Sequence, residues 1–367
     1  MDLNIKDKLP KVSVCTPTFN RRPFIEHMIK CFDSQTYPKD KMEWIIVDDG
    51  TDRIKDLVEG HPNVRYFELD EKVSIGKKRN IINTKVTGDI IVNMDDDDYY
   101  PPERVSHAVE MLMNNPEAMC AGCSEIYTYF NHIDKIVQFG PYNSSHATAN
   151  TFAFRKQLVL ESSYDDDASL AEEKSFLKNY TVPFVQLDPV KTILVISHKH
   201  NSFDKRKLLQ SPNQQFVKVS DKVVDTFMKD PVMKQFYMVD VQERLNDYEP
   251  GQVCKKPDVL INMLRIEEDR RKHAEQMAKN MVSQGSIMIQ QHGCHPTALN
   301  GQDIIRILKE QKEANNRLNQ LLRIKEEEIV LMGNEILRLK SGTQTDASQA
   351  PNPSNSYFES HMKQINK

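Results

Sequence analysis

The chain has 367 residues, of which 39% are hydrophobic and 28% are charged, as is ordinary for a globular protein. Its 49 basic and 53 acidic side chains give a formal net charge of -4, so there is no basic excess that would indicate a nucleic-acid partner. No apolar run is long enough to span a bilayer, and the first residues lack the apolar segment of a signal peptide, so we expect a cytoplasmic protein with no membrane span of its own.

The first two hundred residues alternate between strand and helix signals. Short apolar runs predict strands at residues 11–15, 44–47, 64–67 and 90–94. Helically spaced apolar residues predict helices at 22–32, 77–84 and from 101 to about 113. Apolar strands separated by helices are typical of a mostly parallel sheet that helices cover. We therefore predict an α/β fold.

From residue 119 the predicted strands become shorter and more polar. They fall at residues 119–123, 126–130, 135–139, 150–154, 184–187 and 192–196. Helices are predicted near 170–180 and, on the surface, at 220–227 and 232–244. We expect this loop-rich half to carry the substrate-specific elements and to complete a domain over residues 1–245.

Beyond this domain the composition indicates helices. Residues 256–284 predict one long helix, and residues 303–340 predict a second whose apolar positions recur at alternating steps of four and three. The positions of this repeat are Ile304, Leu308, Leu318, Leu322, Ile329, Met332, Ile336 and Leu339, with Asn315 and Lys325 as polar interruptions. The repeat predicts a coiled coil and hence a homo-oligomer through 303–340; the alternative is a helix folded back on the domain. Residues 341–367 are predicted to be a disordered linker and tail.

Polar side chains follow three of the predicted strands. They are Thr16, Pro17, Thr18, Asn20 and Arg21 after the first, Asp48 and Asp49 after the second, and Asp95, Asp96, Asp97 and Asp98 after the fourth. Open α/β sheets bind ligands beyond the carboxyl ends of their strands. The clustering therefore predicts a binding site at this edge of the sheet.

Four adjacent aspartates repel one another unless a cation or water offsets their charge. Mg²⁺ and Mn²⁺ prefer oxygen ligands and readily bridge a carboxylate to a phosphate. Because side chains alternate along a strand end, Asp95 and Asp97 are expected to share one metal–diphosphate, with Asp96 pointing elsewhere and Asp98 capping the next turn. The alternative for the run is a solvated acidic loop.

Two further segments have the chemistry of a nucleotide site. Asp48 or Asp49 could accept a hydrogen bond from a nucleobase N–H or a ribose hydroxyl, unless they only form an Asp-Gly turn. Lys78 and Arg79 lie near a helix start, which favours anions, so Arg79 could hold a diphosphate or brace an aspartate. The alternative is a solvated basic face, which suits Lys77 and Lys78 better than Arg79.

The segments PTFNRRPFI, IIVDDGT, IGKKRNI and GDIIVNMDDDDYYPPERV, in this order, resemble glycosyltransferase family 2 over residues 11–207. The resemblance implies a GT-A fold, inversion at the anomeric carbon, a nucleotide-sugar donor that is most often UDP-linked, and Mn²⁺ or Mg²⁺. It implies that Asp97 ligates the metal and that Asp95 contacts the ribose or the metal shell. By the same resemblance, the Thr16-Pro17 turn and Asp48 or Asp49 hold the nucleobase of the donor.

The resemblance also implies a catalytic base in the Glu172-Glu173 pair. Family position favours Glu173, with Glu172 as the alternative, although glutamate stands where the family usually has aspartate. A histidine near the metal is implied after the strand at 192–196. We favour His200 over His198, because Asn-Ser follows His200 directly; a hydrogen-bonded turn residue is the alternative.

We therefore predict an inverting glycosyltransferase that moves a sugar from a nucleotide sugar to a hydroxyl of a glycan or protein acceptor. One alternative is a catalytically degenerate domain that serves as a scaffold and oligomerises through its coiled coil. The other is a nucleotidyltransferase, which would normally show a glycine-rich basic loop near the first strand, and TPTFNRR has no glycine.

Overall fold

The computed structural model describes residues 8–210, 215–283, 287–289, 297–299 and 301–340, which fall into two compact units, Met1–Asp269 and Arg270–Lys367. The strands are β1 (Val12–Thr18), β2 (Met42–Asp48), β3 (Val64–Glu68), β4 (Ile90–Asn93), β5 (Cys120–Gly122), β6 (Ile126–Phe130), β7 (Lys135–Phe139), β8 (Ala153–Arg155), β9 (Phe184–Gln186), β10 (Val195–Ser197), β11 (Val217–Val219), β12 (Ile287–Ile289) and β13 (Thr297–Leu299). The α-helices are α1 (Arg22–Asp33), α2 (Lys55–Val58), α3 (Ile75–Asn83), α4 (Arg104–Asn114), α5 (Leu158–Glu161), α6 (Glu173–Phe176), α7 (Lys207–Gln210), α8 (Val224–Phe227), α9 (Pro231–Gln235), α10 (Val241–Arg244), α11 (Pro257–Ser283) and α12 (Gly301–Lys340).

A seven-stranded sheet forms the centre of the first unit, in the order β3-β2-β1-β4-β8-β5-β9. β1 pairs in parallel with β2 and β4, and β2 pairs in parallel with β3, whereas β8 is antiparallel to both of its neighbours. A second sheet has the order β10-β6-β7-β11. The predicted α/β fold with a mostly parallel, helix-covered sheet is confirmed.

The central strands are buried on both faces, which is why they read as continuous apolar runs. Val14 and Trp44 belong to one core, whereas Cys15 and Ile45, their neighbours in the chain, belong to the other. This division follows from the alternation of side chains along a strand. Because β1, β2 and β4 are parallel, their polar ends share one edge of the sheet.

Two predicted helices differ from the structure. The helix expected near 170–180 is a single turn, α6. The helix expected on the surface at 232–244 is broken by a π-helical turn at Phe236–Asp240, and it buries Phe236 and Tyr237. The reason is aromatic packing: Phe236 stacks on His27 with ring centroids 3.5 Å apart.

In the second unit, β12 and β13 pair as an antiparallel hairpin before α12. The predicted all-helical extension did not include this pair of strands. Each strand has only three residues, which is too short to give a recognisable alternating pattern in the sequence. Within the described residues, no helix combines the length and the apolar character needed to cross a membrane. The predicted linker and tail at 341–367 lie outside the described residues.

Candidate active site

The polar strand ends meet in one cavity of about 430 Å³ in the first unit. The predicted residues that line it are Pro17, Thr18, Arg21, Lys78, Arg79, Asp95, Asp96, Asp97, Asp98 and Glu172. This size lies within the range of small-molecule sites in proteins. The sheet edge at which these residues gather is the one predicted from the parallel strands.

Arg79 joins two carboxylates that are distant in sequence. Its Nη2 donates to both carboxylate oxygens of Asp95, at 3.1 and 3.0 Å, and its Nε donates to Glu172 Oε1 at 2.9 Å. Burial alone would lower the pKa of Arg79, but the charges of Asp95 and Glu172 hold that pKa well above its usual value. The guanidinium therefore stays charged and fixes both carboxylates in the cavity wall.

Arg21 has a similar role at the middle of the acidic run. Its Nη2 donates to Asp97 Oδ2 at 3.0 Å, and its Nε lies 3.4 Å from Asp96 Oδ1. Burial would raise the pKa of Asp97, but Arg21 and the hydrogen bond from His198 hold it well below its usual value. Asp97 is therefore ionised under all ordinary conditions.

The structure brings His198, and not His200, to the acidic run. His198 Nε2 lies 3.1 Å from Asp97 Oδ2. The backbone N–H of His200 donates to His198 Nδ1 at 3.2 Å, and Nε2 also lies 2.9 Å from Asn201 Nδ2. Burial lowers the pKa of His198 to about 3, so the ring is neutral. The ring of His200 instead lies beside Tyr248, because Asn201 Oδ1 accepts from the His198 backbone N–H and turns the chain there.

The other aspartates of the run also depart from the strand-alternation rule, because β4 already ends at Asn93. Asp96 lines the cavity rather than pointing elsewhere. Asp98 does not cap the next helix: it accepts hydrogen bonds from the backbone N–H of Ile196 at 3.0 Å and from Asn150 Nδ2 at 3.1 Å. Burial raises the pKa of both Asp96 and Asp98 to about 7. The run is thus a crowded group of carboxylates in which Asp96 and Asp97 share Arg21, while Asp95 and Asp98 have partners of their own.

Several residues that were predicted to bind the nucleotide-sugar donor do not line the cavity. They instead hold the strand ends together. They are Thr16, Asn20, Asp48 and Asp49. Thr16 Oγ1 donates to the carbonyl of Met94 at 2.7 Å, which ties β1 to the end of β4. Asp48 accepts from the backbone N–H groups of Gly50 at 2.8 Å and Ile54 at 3.1 Å. These are the local turn contacts that short polar side chains favour.

Asp49 and Lys78 form a buried ion pair beside the cavity. Asp49 also accepts from the backbone N–H of Val73 at 2.8 Å, and Lys78 Nζ donates to the carbonyl of Thr18 at 2.8 Å. Lys78 lines the cavity, but its charge is already matched by a carboxylate. Its structural role is to connect α3 to the ends of β1 and β2.

The two glutamates of the predicted base pair have different surroundings. Glu172 lines the cavity and accepts from Arg79, whereas Glu173 begins α6 and is not part of the lining. Burial and the charge of Glu172 raise the pKa of Glu173 to about 7. One carboxylate is therefore held by a cation, whereas its neighbour binds a proton more readily than an ordinary glutamate does.

Part of the cavity comes from residues that sequence analysis missed. Lys72, Ser169, Lys256 and Asp258 line it together with Phe19. Lys72 Nζ donates to Asp258 Oδ1 at 2.5 Å, and Ser169 Oγ donates to Asp258 Oδ2 at 2.7 Å. Lys72 and Asp258 are 186 residues apart in the sequence, and Ser169 and Asp258 are 89 residues apart. No local motif therefore indicates these contacts. The first compact unit accordingly continues to Asp269, past the expected domain end at residue 245.

Asp95 and Asp97 are the residues that could hold a divalent cation. Their side chains are 23% and 16% exposed, compared with 4% and 6% for the arginines that hold them. No hydrogen bond to Asp97 Oδ1 is found among the described residues, and that oxygen is thus available to a metal. Within the described part of the chain, no three His, Cys, Asp or Glu side chains converge as a complete metal site. Substrate phosphate and water would have to supply the remaining ligands, as they commonly do for Mg²⁺.

Residues 13–162 match the family model described as "Glycosyl transferase family 2". The poly(ribitol-phosphate) beta-N-acetylglucosaminyltransferase TarS of Staphylococcus aureus (strain Mu50) is 31% identical over 107 residues, which are 28% of this chain and 19% of TarS. The probable glycosyltransferase YdaM of Bacillus subtilis (strain 168) is 28% identical over 194 residues, 46% of each chain. The crystal structure of S. aureus TarS 1–349 with UDP-GlcNAc has a TM-score of 0.42 at 20% identity, covering 51% of this chain and 58% of that one. The chain thus spans less than half the length of these curated relatives.

Proposed function

Because residues 13–162 match the model of glycosyltransferase family 2, the family that the sequence motifs resemble, we propose that this chain transfers a sugar from a nucleotide sugar to an acceptor hydroxyl. One observation carries the proposal: Arg79 holds Asp95, from the family domain, and Glu172, from beyond it, in the wall of a single cavity. A metal-binding carboxylate and a second carboxylate on one cavity wall are the groups that inverting transfer requires.

The donor is proposed to be UDP-linked, with its nucleotide along the end of β1. Pro17, Thr18 and Phe19 line the cavity there, and the Nζ atoms of Lys72 and Lys78 lie 5.1 and 5.9 Å from the ring centroid of Phe19. An aromatic face flanked by cations suits a nucleobase that is followed by phosphates. TarS, which the family domain resembles, is by name an N-acetylglucosaminyltransferase, so UDP-GlcNAc is the first donor to test.

Mn²⁺ or Mg²⁺ is the proposed cofactor, held by Asp97 through its unpaired Oδ1 and by Asp95. The donor set fits a hard cation, because both groups are carboxylates that are partly exposed in the cavity. When bound, the cation neutralises charge that develops on the departing diphosphate. The His198 ring, whose Nε2 lies 3.1 Å from Asp97 Oδ2, is assigned to orienting that carboxylate rather than to binding the metal.

Glu173 is the proposed base, and Glu172, the preceding residue that lines the cavity, is the alternative. The base takes the proton of the acceptor hydroxyl while the hydroxyl oxygen bonds to the anomeric carbon, and the bond from that carbon to the diphosphate breaks. Glu172 instead accepts a hydrogen bond from Arg79 Nε, which holds its carboxylate in the cavity wall. Glu173 has a pKa of about 7, which suits proton transfer at neutral pH. An acceptor that reaches Glu173 would enter beside Glu172.

We further propose that copies of the chain associate through α12. Several positions of the predicted seam are more than half exposed: Leu308, Leu318, Leu322, Ile329 and Met332. A row of large apolar side chains in water favours burial against a partner helix. The coiled-coil repeat makes a second copy of α12 the partner that fits it.

Nucleotide release tests the transferase proposal. The chain is incubated with Mn²⁺ or Mg²⁺ and a panel of UDP-, GDP-, ADP- and CDP-linked sugars, with and without glycan acceptors, and released nucleoside diphosphate is measured. We expect release from a UDP-linked donor, loss of release with EDTA, and a decrease of about a hundredfold or more in Asp97→Asn. Lys255→Met, which changes an exposed lysine outside the cavity, serves as the matched control. Absence of release from every donor would favour the scaffold alternative.

A further inference from the structure

Lys256 is a buried cation without a carboxylate partner among the described residues. It lines the cavity and is 4% exposed. Its Nζ lies 3.4 Å from the carbonyl oxygen of His200 and 3.3 Å from Ser202 Oγ, and both distances are long for hydrogen bonds from an ammonium. Burial and the charge of Arg21 hold the pKa of Lys256 well below its usual value. Two weak neutral acceptors do not replace the hydration of its charged form, so an anion placed beside Lys256 would stabilise the ammonium.

The other buried cations that line the cavity are already paired. Their partners are Asp96 and Asp97 for Arg21, Asp49 for Lys78, and Asp95 and Glu172 for Arg79. Arg104 is also buried without a carboxylate, but it lies outside the cavity and donates to three backbone carbonyls. Within the described part of the chain, Lys256 is therefore the buried basic residue of the cavity that lacks a carboxylate partner.

A well-anchored segment, residues 248–256, delivers Lys256 to the cavity; we refer to it as the strap. Tyr248 donates its hydroxyl hydrogen to Asp52 Oδ2 at 2.8 Å, and Asn20 Nδ2 donates to the carbonyl of Pro250 at 2.9 Å. Gly251 packs so closely that a Cβ there would lie 2.8 Å from the Asn20 carbonyl oxygen. The strap is thus held against the loops that follow β1 and β2.

We propose that Lys256 binds the diphosphate of the donor, so that the strap, which follows the family-matched residues, completes the donor site. The inference rests on the proposed function. A diphosphate carries several negative charges, and Arg21, Lys78 and Arg79 are already neutralised by carboxylates. A lysine ammonium is an effective point charge for phosphate. Lys205, which also lines the cavity and is partly exposed, has no ion pair in the described residues and could act beside Lys256.

Calorimetric titration tests the proposal with UDP and uridine in the presence of Mn²⁺, or with the corresponding pair if the donor panel identifies another nucleoside. Lys256→Met should weaken UDP binding by about tenfold to a hundredfold and leave uridine binding unchanged. Lys256→Arg should retain most of the UDP affinity. Lys255→Met removes an equal charge from the neighbouring exposed position and should bind UDP like the parent chain.

Three results would overturn the proposal. In the first, Lys256→Met binds UDP as tightly as the parent chain, which leaves the transferase proposal intact. In the second, Lys256→Met weakens uridine and UDP equally and melts at a lower temperature, which indicates a structural role only. In the third, Lys256→Met leaves UDP binding unchanged but weakens the binding of a phosphate-bearing acceptor, which would mean that Lys256 binds the acceptor and not the donor. If the parent chain binds no nucleoside diphosphate, the proposed function fails together with this inference.

Discussion

At the scale of single residues, the site depends on two arginines that organise an acidic run. Without Arg21 and Arg79, the carboxylates at 95–97 and Glu172 would repel one another in a partly buried wall. Each guanidinium contacts two carboxylates, which the planar fork of arginine allows and a lysine ammonium does not reproduce. The arginines therefore set the positions of the groups that are proposed to act on donor and acceptor.

Replacing Arg79 by Met should reduce nucleotide release by about a hundredfold or more, because charge-assisted bonds to Asp95 and Glu172 are lost together. Arg79→Lys should recover only a minor part of the rate, since it cannot reach both carboxylates in one geometry. Release is measured from the best donor of the panel, and melting temperature is recorded for each variant. Full activity in a folded Arg79→Met variant would contradict the assigned role.

The pH dependence of transfer should report the base. Because burial and Glu172 raise the pKa of Glu173 to about 7 and the base acts as a carboxylate, kcat/KM should rise with pH through about 7. Glu173→Gln should remove this rise together with most of the activity. Glu172→Gln should lower the rate but keep the rise and move it to lower pH, because a negative neighbour has been removed. A pH rise lost in Glu172→Gln and kept in Glu173→Gln would assign the base to Glu172.

The residues that gather in the cavity were predictable from the sequence where a motif is local, and were not predictable where the contact is long-range. Asp95, Asp97 and Arg79 follow strand or helix ends, so topology alone brings them to one edge. Asp48 has the same kind of position, but its carboxylate is satisfied by the backbone of its own turn, which the sequence cannot distinguish from a ligand contact. His198 and His200 differ only in which way one turn directs each ring.

At the scale of elements, the parallel strands and the helices between them were predictable, since long apolar runs and helical spacing determine both. The strap was not. It contains no regular periodicity, and its anchors lie on loops 196 and 230 residues earlier, as the contacts of Tyr248 with Asp52 and of Pro250 with Asn20 show. Only the packed structure indicates that residues beyond 245 complete the cavity.

Gly251→Val should displace the strap, because its Cβ would lie 2.8 Å from the Asn20 carbonyl oxygen and 2.9 Å from His200 Nδ1. The expected loss of stability is about 1–3 kcal/mol, as is usual for overpacking, with weaker UDP binding at a temperature where the variant is folded. Thermal melting and calorimetric titration measure the two effects. Gln252→Ala, at the next position, should change neither, and unaltered UDP affinity in Gly251→Val would argue against a strap that contributes to the site.

At the scale of the whole molecule, α12 should set the oligomeric state without changing the chemistry. Introducing lysine at Leu318 and Leu322 places charges in the exposed apolar seam and should convert the oligomer into a monomer of about 42.5 kDa. Gln320→Lys with Glu327→Lys adds two lysines on the opposite side of the repeat and should leave the oligomer intact. Light scattering gives the mass; an oligomer that survives the seam substitutions would refute association through α12.

The central claim is that the first compact unit binds a nucleotide sugar by its diphosphate, between the acidic run and the strap. A crystal structure of the chain with UDP and Mn²⁺ tests it most directly, because the anomalous signal of manganese locates the metal independently of the nucleotide. We expect the manganese on Asp97, and the diphosphate within hydrogen-bond distance of Lys256 Nζ. A nucleotide bound outside this cavity, or manganese bound by other residues, would contradict the claim.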